Sequence, residues 1–190
     1  ISKEKCNDSK DEYNDSREKS NDVNCFSMKE LPLVIGLVLH SDACKKGLLS
    51  DSSIGNVLVS MYGKCGNSLE AENVFCNLSQ RDSTSWNAML AGYAQQGRGQ
   101  EALDCFEQMQ VENLFPDGIT FKCILKACGI AKDIDKGKEI HYEIANKDLL
   151  EKNMALGNAL VDMYVKCGML EKAQLVLEEL PFRNILSWHA

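Results

Sequence analysis

The sequence repeats itself at a spacing of 102 residues. The segment 55–66, GNVLVSMYGKCG, returns at 157–168 as GNALVDMYVKCG, and Trp86 returns as Trp188. A helix-turn-helix unit that stacks into an array takes about 31–36 residues, so this spacing corresponds to three units of slightly different length. Such units bury their apolar faces against their neighbours and usually form binding surfaces. The sequence therefore predicts an all-α solenoid whose function is binding.

Apolar residues follow a helical period within these units. A helix is predicted from Leu33 to Cys44, with Gly47 ending it, because glycine readily takes the backbone conformation that closes a helix. Gly66 separates the two helices of the next unit in the same way. Trp86 lies on the apolar face of its helix, which favours packing in the core over stacking on a base.

The charge of the chain limits the classes of partner. Acidic residues outnumber basic ones, 28 against 21, and the formal net charge is −7. No overall basic field draws nucleic acid to this chain, so any such contact must be local. The nine cysteines include no C-x-x-C pair. Small buried thiols in a reducing compartment, and no metal site, are predicted for the cysteines in the apolar helical pattern, which are Cys65, Cys105, Cys128 and Cys167.

The two ends of the sequence differ from the units between them. Residues 1–24 hold few apolar side chains and are predicted to form a disordered polar tail, because they cannot bury enough surface to offset the entropy of ordering. The longest uncharged apolar stretch, 31–39, is too short to span a membrane, so no membrane partner is expected. We recognise neither a signal peptide nor a transit peptide. Residues 185–190 open another unit, so a fragment of a longer array is expected.

Three phrases resemble the repeats of plant pentatricopeptide-repeat proteins, in the PLS-type subfamily that alternates three repeat lengths. GNALVDMYVKCGMLEKAQLVLEELPFRN, at 157–184, resembles the short repeat. SWNAMLAGYAQQGRGQEALDCFEQMQVENLFPD, at 85–117, resembles the standard repeat, and ITFKCILKACGIAKDIDKGKEIH, at 119–141, resembles the long repeat. The resemblance covers about residues 31–190. It implies a right-handed superhelical solenoid of helix-turn-helix repeats.

The resemblance also implies the boundaries of the repeats. Four complete repeats in the order short, standard, long and short have 31, 35, 36 and 31 residues, and they lie at 52–82, 83–117, 118–153 and 154–184. The first three together span the 102 residues of the internal spacing. Residues 25–51 resemble a partial or divergent long repeat, in which His40 holds the place of His141. Residues 185–190 would begin a truncated repeat.

In this family, each repeat reads one RNA base through its fifth and its last residue. An Asn amide suits this task because it offers both a donor and an acceptor to the edge of a base. The pairs at these positions are Asn56 with Asp82, Asn87 with Asp117, Lys122 with Asn153, and Asn158 with Asn184. By the family's rules the first two pairs imply uridine and the last implies a pyrimidine, whereas the pair with lysine is unassigned. The implied target is single-stranded RNA of sequence 5′-U-U-N-Y-3′.

Other recurring positions are candidates for weaker RNA contacts. Lys64 and Lys166 share position 13 of their repeats and are candidates for phosphate contacts, although a solvated lysine is the simpler interpretation. An asparagine early in a helix can likewise be a local cap, but its recurrence at one repeat position favours base reading. The remaining candidates are Lys122 and Asn153, His189 in the truncated repeat, and the position-two residues Ser53, Thr84 and Ala155.

The resemblance implies sequence-specific RNA binding in organellar RNA processing or in the selection of C-to-U editing sites. It further implies a mitochondrial or chloroplast location and proteins of an editing complex as partners. No catalytic residue, cofactor or small-molecule substrate is expected in this chain, and a deaminase-like domain of a longer protein would hold any editing chemistry. The segment 141–143 spells H-x-E, but the P-C-x-x-C half of the zinc-deaminase signature is absent.

The alternative is a helical-repeat scaffold for protein–protein interaction without RNA specificity. It explains the solenoid and the acidic charge equally well. It does not explain why Asn and Asp recur at the two base-reading positions.

Overall fold

The computed structural model describes residues 31–48 and 51–180, and every regular element in this part of the chain is an α-helix. The helices are α1 (Leu31–Lys45), α2 (Ser52–Lys64), α3 (Ser68–Cys76), α4 (Ser83–Gln95), α5 (Gly99–Val111), α6 (Gly118–Ala131), α7 (Ile134–Asn146), α8 (Leu149–Lys152), α9 (Met154–Lys166) and α10 (Leu170–Glu179). The predicted all-α solenoid is confirmed. Within the described residues, no helix has the length and apolar character needed to cross a membrane. The predicted tail 1–24, Asn184, Trp188 and His189 lie outside the described residues.

The helices alternate between two positions in the array. The first helices of successive pairs, α2, α4, α6 and α9, pack side by side and form what we call the first-helix layer. Each second helix packs on the first helix of its own pair, and α3, α5 and α7 also contact the first helix of the next pair. Within the described residues, the main contacts between helices therefore lie within one pair or between neighbouring pairs, as expected for a solenoid.

The core is a continuous apolar strip between the helices. Trp86 is 1% exposed and meets the ring of Phe75 edge-on, with 4.7 Å between the ring centroids. The prediction that Trp86 packs in the core is therefore confirmed. Phe106 and Phe121 continue the strip into the following pairs, and both are fully buried.

The described cysteines are all free thiols, but they are buried to different degrees. Cys105 and Cys128 are buried, as predicted. The prediction is wrong for Cys65 and Cys167, which are only partly buried because they lie at the C-caps of α2 and α9, where the helix meets solvent.

Helix ends follow simple backbone chemistry. Gly47 has a φ of 65° and ends the first helix, as predicted. One side chain caps each helix of the first-helix layer by accepting a hydrogen bond from a backbone N–H of its first turn. These caps are Asp51, Asp82, Asp117 and Asn153.

Two helices of the layer meet backbone to backbone. A Cβ built on Gly63 would lie 3.0 Å from the Cα of Gly92, and one built on Gly92 would lie 3.2 Å from the Cα of Gly63. Such an approach requires glycine on both helices. It sets the spacing between α2, which carries Asn56, and α4, which carries Asn87.

The junction of α1 with α2 is repeated at the junction of α7 with α9. His40 Nδ1 lies 2.8 Å from the hydroxyl oxygen of Tyr62, and His141 Nδ1 lies 2.9 Å from that of Tyr164. Each imidazole also meets its tyrosine ring edge-on. The recurring pair therefore holds a second helix against the next first helix at two places in the array.

Candidate nucleic-acid interface

A groove of about 930 Å³ lies along the first-helix layer, and α2 and α4 supply most of its lining. Small or polar side chains recur on this face at intervals of three and four residues, the spacing of one helix face. The two predicted base-reading asparagines, Asn56 and Asn87, line the groove, as does Asp82. The other lining residues from these two helices and the start of α6 are Ser52, Ser53, Val57, Ser60, Met61, Lys64, Thr84, Ala88, Ala91 and Ile119.

The structure brings Asn87 and Asp117 together at one end of this groove. The side-chain amide of Asn87 donates to both carboxylate oxygens of Asp117 at 3.2 Å. A carboxylate can only accept, so the NH₂ group of Asn87 must face Asp117. The hydroxyl of Thr120 lies 2.7 Å from Asn87 Oδ1 and 2.9 Å from Asp117 Oδ1, and it can donate to either. Asn87 is 8% exposed, and its amide is held from both sides.

The pair of Asn56 and Asp82 has the same partners but a looser geometry. The amide of Asn56 donates once, to Asp82 Oδ1 at 3.3 Å. The hydroxyl of Ser85, at the place of Thr120, donates to Asp82 Oδ1 at 3.0 Å and does not reach Asn56. Asn56 Oδ1 is buried and has no hydrogen-bond partner among the described residues. Asn56 is therefore held at one side only.

The two aspartates also cap the helices that follow them. Asp82 accepts from the backbone N–H of Ser85 at 2.8 Å, and Asp117 accepts from that of Thr120 at 2.8 Å. The backbone N–H of Ser85 is the main cause that lowers the pKa of Asp82 below its ordinary value. Burial raises the pKa of Asp117, but the hydrogen bonds from Thr120 and Asn87 outweigh it and lower the pKa overall. Both carboxylates are therefore ionised at neutral pH.

The third predicted pair is not joined. Lys122 is exposed on α6, and among the described residues it makes no hydrogen bond to Asn153. Asn153 instead accepts from the backbone N–H of Ala155 at 3.1 Å and caps α9. Its Nδ2 lies 2.9 Å from the place that a Cβ on Gly118 would occupy. In the fourth pair Asn158 is partly buried on α9, but Asn184 lies outside the described residues.

The weaker candidates differ in their surroundings. Lys64 is exposed and lines the groove, as do Ser53 and Thr84. Lys166 is also exposed, but its ammonium lies 2.6 Å from Asp162 Oδ2 on its own helix. Ala155 is exposed on the first turn of α9 and is not part of the groove lining.

Two apolar residues of the groove were missed by the sequence reasoning. Val57 is 68% exposed and Ile119 is 62% exposed, and both line the groove. Ile119 occupies position two of its repeat, where only the small or polar residues of the other repeats were selected. The sequence did indicate these two residues, because each is a large apolar side chain next to the polar face of its helix.

The surroundings of His141 indicate a packing role and not metal binding. It is half-buried against Tyr164, and burial lowers its pKa, which favours the neutral imidazole. Glu143 forms an ion pair with Lys147 at 2.7 Å. Across the described ranges, no group of three or more His, Cys, Asp or Glu side chains is arranged to hold a metal ion.

Comparison with known sequences identifies pentatricopeptide repeats in this chain. A family model described as "PPR repeat family" matches residues 81–129, and one described as "PPR repeat" matches residues 56–82 and 158–185. A pentatricopeptide repeat-containing protein of Arabidopsis thaliana is 37% identical over 152 residues, which are 80% of this chain and 22% of that protein. A mitochondrial one is 40% identical over 83% of this chain and 15% of its own length. A chloroplastic one is 36% identical over 85% of this chain and 26% of its own length.

This chain thus spans between 15% and 26% of the length of these three Arabidopsis relatives. Solved structures share its fold. The pentatricopeptide repeat protein PPR10, in complex with an 18-nt psaJ RNA element, has a TM-score of 0.71 at 17% identity, over 85% of this chain and 24% of that chain. PPR10 from maize has a TM-score of 0.56 at 22% identity, over 83% of this chain and 24% of that chain.

Proposed function

Because this chain belongs to the pentatricopeptide-repeat family, we propose that it binds single-stranded RNA in the groove of the first-helix layer, with one base read by each repeat. The observation that carries this proposal is the pair of amide–carboxylate contacts in line along the groove, Asn56 with Asp82 and Asn87 with Asp117. The structural neighbour PPR10 is itself in complex with RNA, which supports the same class of partner here.

The chemistry of these contacts suits base reading. The edge of uracil presents the N3–H donor beside the O4 acceptor, and an amide presents an acceptor beside a donor, so one Asn can form two hydrogen bonds with one base. The Nδ2 of Asn87 lies 3.2 Å from both carboxylate oxygens of Asp117, and this contact fixes which side of the amide faces Asp117. Orienting the amide before the base arrives reduces the entropy that binding must offset.

The proposed register follows the chain. Asn56 with Asp82 would read uridine, and Asn87 with Asp117 would read the next uridine. Lys122 and Asn153 lack the amide–carboxylate arrangement, so the third base is unassigned. Asn158 with Asn184 would read a pyrimidine. The proposed target is 5′-U-U-N-Y-3′, parallel to the protein.

In the cell, the whole protein would hold an organellar transcript and select a cytidine for editing or another processing step. Relatives named as mitochondrial and chloroplastic support a location in one of these organelles. The chain would supply binding only, because a deaminase-like domain in the same protein or a recruited editing protein would carry the chemistry.

A protein-binding scaffold is the second candidate function. The net charge of −7 favours it over contact with a polyanion. So do four large side chains that are 71–85% exposed, Leu69, Val111, Phe115 and Tyr142. It leaves the repeated Asn–Asp contacts in the groove without a role.

Binding to short RNAs tests the proposal. The test RNA would be 5′-UUNY-3′ flanked by adenines, and the comparison RNA would have guanines in place of both uridines. Few bases are read, so we expect a dissociation constant on the order of 10 µM or weaker. The chain should prefer the uridine RNA, and the double variant Asn56→Ala, Asn87→Ala should lose that preference.

The matched control is Asn73→Ala, an exposed asparagine on α3 away from the groove lining. It should bind both RNAs as the parent does, and circular dichroism would establish that each variant folds. Equal binding of the two RNAs by the parent, or no binding, would remove the base assignments and favour the scaffold.

A further inference from the structure

The third helix of the first-helix layer presents lysines where its two predecessors present neutral side chains. Ile119, at the start of α6, lines the groove as Ser53 and Thr84 do at the starts of α2 and α4. Lys122 and Lys126 follow Ile119 by three and seven residues, so they lie on the same face of α6. At the corresponding places α2 carries Asn and Ser, and α4 carries Asn and Ala.

No carboxylate of the described residues forms an ion pair with these two lysines. Both are exposed, and neither makes a hydrogen bond or ion pair with a described residue. Three other lysines, at positions 136, 147 and 166, each lie within 3.0 Å of a carboxylate oxygen one turn away, whereas Lys64 in the groove has no such partner among the described residues. An acidic chain that leaves two neighbouring cations unneutralised beside a groove has a local positive site despite its net charge.

Cys123 lies next to these two lysines in the sequence of α6. Cys123 is partly buried between Lys122 and Lys126 on α6. Burial raises the pKa of its thiol, and both lysines act in the opposite direction. The carboxylate of Asp117 raises this pKa as well, and its contribution is the smallest of the three charges.

We propose that Lys122 and Lys126 bind the phosphodiester backbone of the RNA, so that the third repeat anchors the strand without reading its base. This inference rests on the proposed RNA-binding function and deepens it. An ammonium has three donors and no acceptor, so it matches phosphate oxygens and cannot present the donor–acceptor pair of an amide. The second reading position of this repeat also lacks the carboxylate that Asp82 and Asp117 supply, and the Nδ2 of Asn153 lies 2.9 Å from the place that a Cβ on Gly118 would occupy.

Salt dependence provides the first test. For a single strand, each neutralised phosphate contributes about 0.7 to the slope of log K against log salt concentration. Removing both lysines, by Lys122→Ala with Lys126→Ala, should therefore reduce the slope by about 1.4. The advantage of the parent over the variant should shrink about sevenfold between 50 and 200 mM salt. The preference for uridine at the first two positions should persist.

The matched control removes the same charge elsewhere. Lys46→Ala with Lys172→Ala takes two exposed lysines, one after the end of α1 and one on α10, that form no ion pair with a described residue. This control should keep the parent's slope, as should Lys122→Arg with Lys126→Arg. A slope that falls equally in the α6 variant and in this control would overturn the proposal, because overall charge would then explain the effect.

A chemical change in the RNA gives the second test. Neutral methylphosphonate linkages on either side of the third nucleotide should weaken binding by the parent and leave the α6 alanine variant unaffected, since the two changes remove one interaction. Substituting the third base should alter the parent's affinity by less than about twofold, against the roughly fivefold or more that a good base contact provides.

The possible failures are distinguishable. If RNA binding retains its uridine preference but the methylphosphonate RNA weakens both proteins equally, the anchoring role is wrong and the base reading stands. If the parent binds no RNA, the proposed function itself fails.

Discussion

Asn87 donates its side-chain amide to both carboxylate oxygens of Asp117, although 30 residues separate them in the chain. The contact links one helix of the first-helix layer to the cap of the next one. A single carboxylate thus stabilises the start of α6 and fixes the orientation of an amide in the groove. The proposed recognition of RNA and the stability of the helix array therefore depend on the same group.

Removing the carboxylate of Asp117 should weaken both the proposed RNA recognition and the stability of the helix array. Asp117→Ala should lower the free energy of unfolding by about 1 kcal/mol, within the range of roughly 0.5–2 for a lost N-cap. Asp117→Asn should lower it much less, because asparagine also caps helices. Thermal unfolding followed by circular dichroism would measure both, with Asp104→Ala on the exposed side of α5 as the control. Equal losses for alanine and asparagine would contradict the capping explanation.

The hydroxyl of Thr120 should increase the affinity of Asn87 for uridine. Thr120→Val removes the hydroxyl that lies 2.7 Å from Asn87 Oδ1, and it keeps the shape of the side chain. One such hydrogen bond is worth about 0.5–1.5 kcal/mol. Affinity for RNA with uridine at the second position should therefore fall about two- to tenfold in Thr120→Val, whereas affinity for uridine at the first position should not change. Isothermal titration would measure these changes. An equal fall for RNA with adenine at the second position would count against this role of the Thr120 hydroxyl.

Gly63→Ala should destabilise the array. Alanine has the higher helix propensity by about 1 kcal/mol, but its Cβ would lie 3.0 Å from the Cα of Gly92. Backbone atoms cannot move aside as a flexible side chain can, and overpacking typically costs about 1–3 kcal/mol. A lower melting temperature is therefore expected, with Ala91→Ser on the groove face of α4 as the control. A raised melting temperature would show that the two helices separate without cost.

Acid should destabilise the chain through Asp82 and Asp117. The pKa of each is lowered in the folded state. The stability that they contribute is present above the ordinary Asp pKa of about 3.9 and is lost as the pH falls towards the lowered folded-state values. When the melting temperature is measured from pH 7 down to pH 3, it should therefore begin to fall below about pH 4. The double variant Asp82→Asn, Asp117→Asn should show a smaller drop, and an unchanged pH profile would exclude these two carboxylates as its cause.

Thiol reactivity should separate the cysteines by position. Burial raises the pKa of Cys105 and that of Cys128 to about 12. Both thiols should remain protonated and unmodified by iodoacetamide at pH 8 in the folded chain. Cys44 and Cys76 are exposed and should react first. Peptide mass mapping before and after unfolding in urea would measure this order. Early modification of Cys105 would indicate that α5 opens locally.

The sequence predicted the helices well because their apolar period is strong and their ends carry clear signals. The helix predicted from Leu33 to Cys44 lies within α1, and Gly47 ends it. The burial of Trp86 followed from the same period. The short helix α8 was not predicted, since its four residues are too few to show a period.

The candidate site was predicted less completely. Recurrence and family resemblance placed Asn56 with Asp82 and Asn87 with Asp117, and the structure joins both pairs by hydrogen bonds. Neither indicated that Thr120 reaches Asn87 while Ser85 does not reach Asn56. They also omitted Ile119 from the groove. These features depend on side-chain geometry across two helices, which a position in a repeat does not specify.

The sequence by itself determined that this chain is a helical array, because stacking units leave a periodic record of the apolar faces that they must bury. It also determined which polar residues recur at equivalent places. Only the tertiary structure decided which of those residues meet. Hydrogen bonds form within about 3.5 Å and depend on direction, so the approach of Gly63 to Gly92 and the placing of one hydroxyl govern how firmly each amide is held.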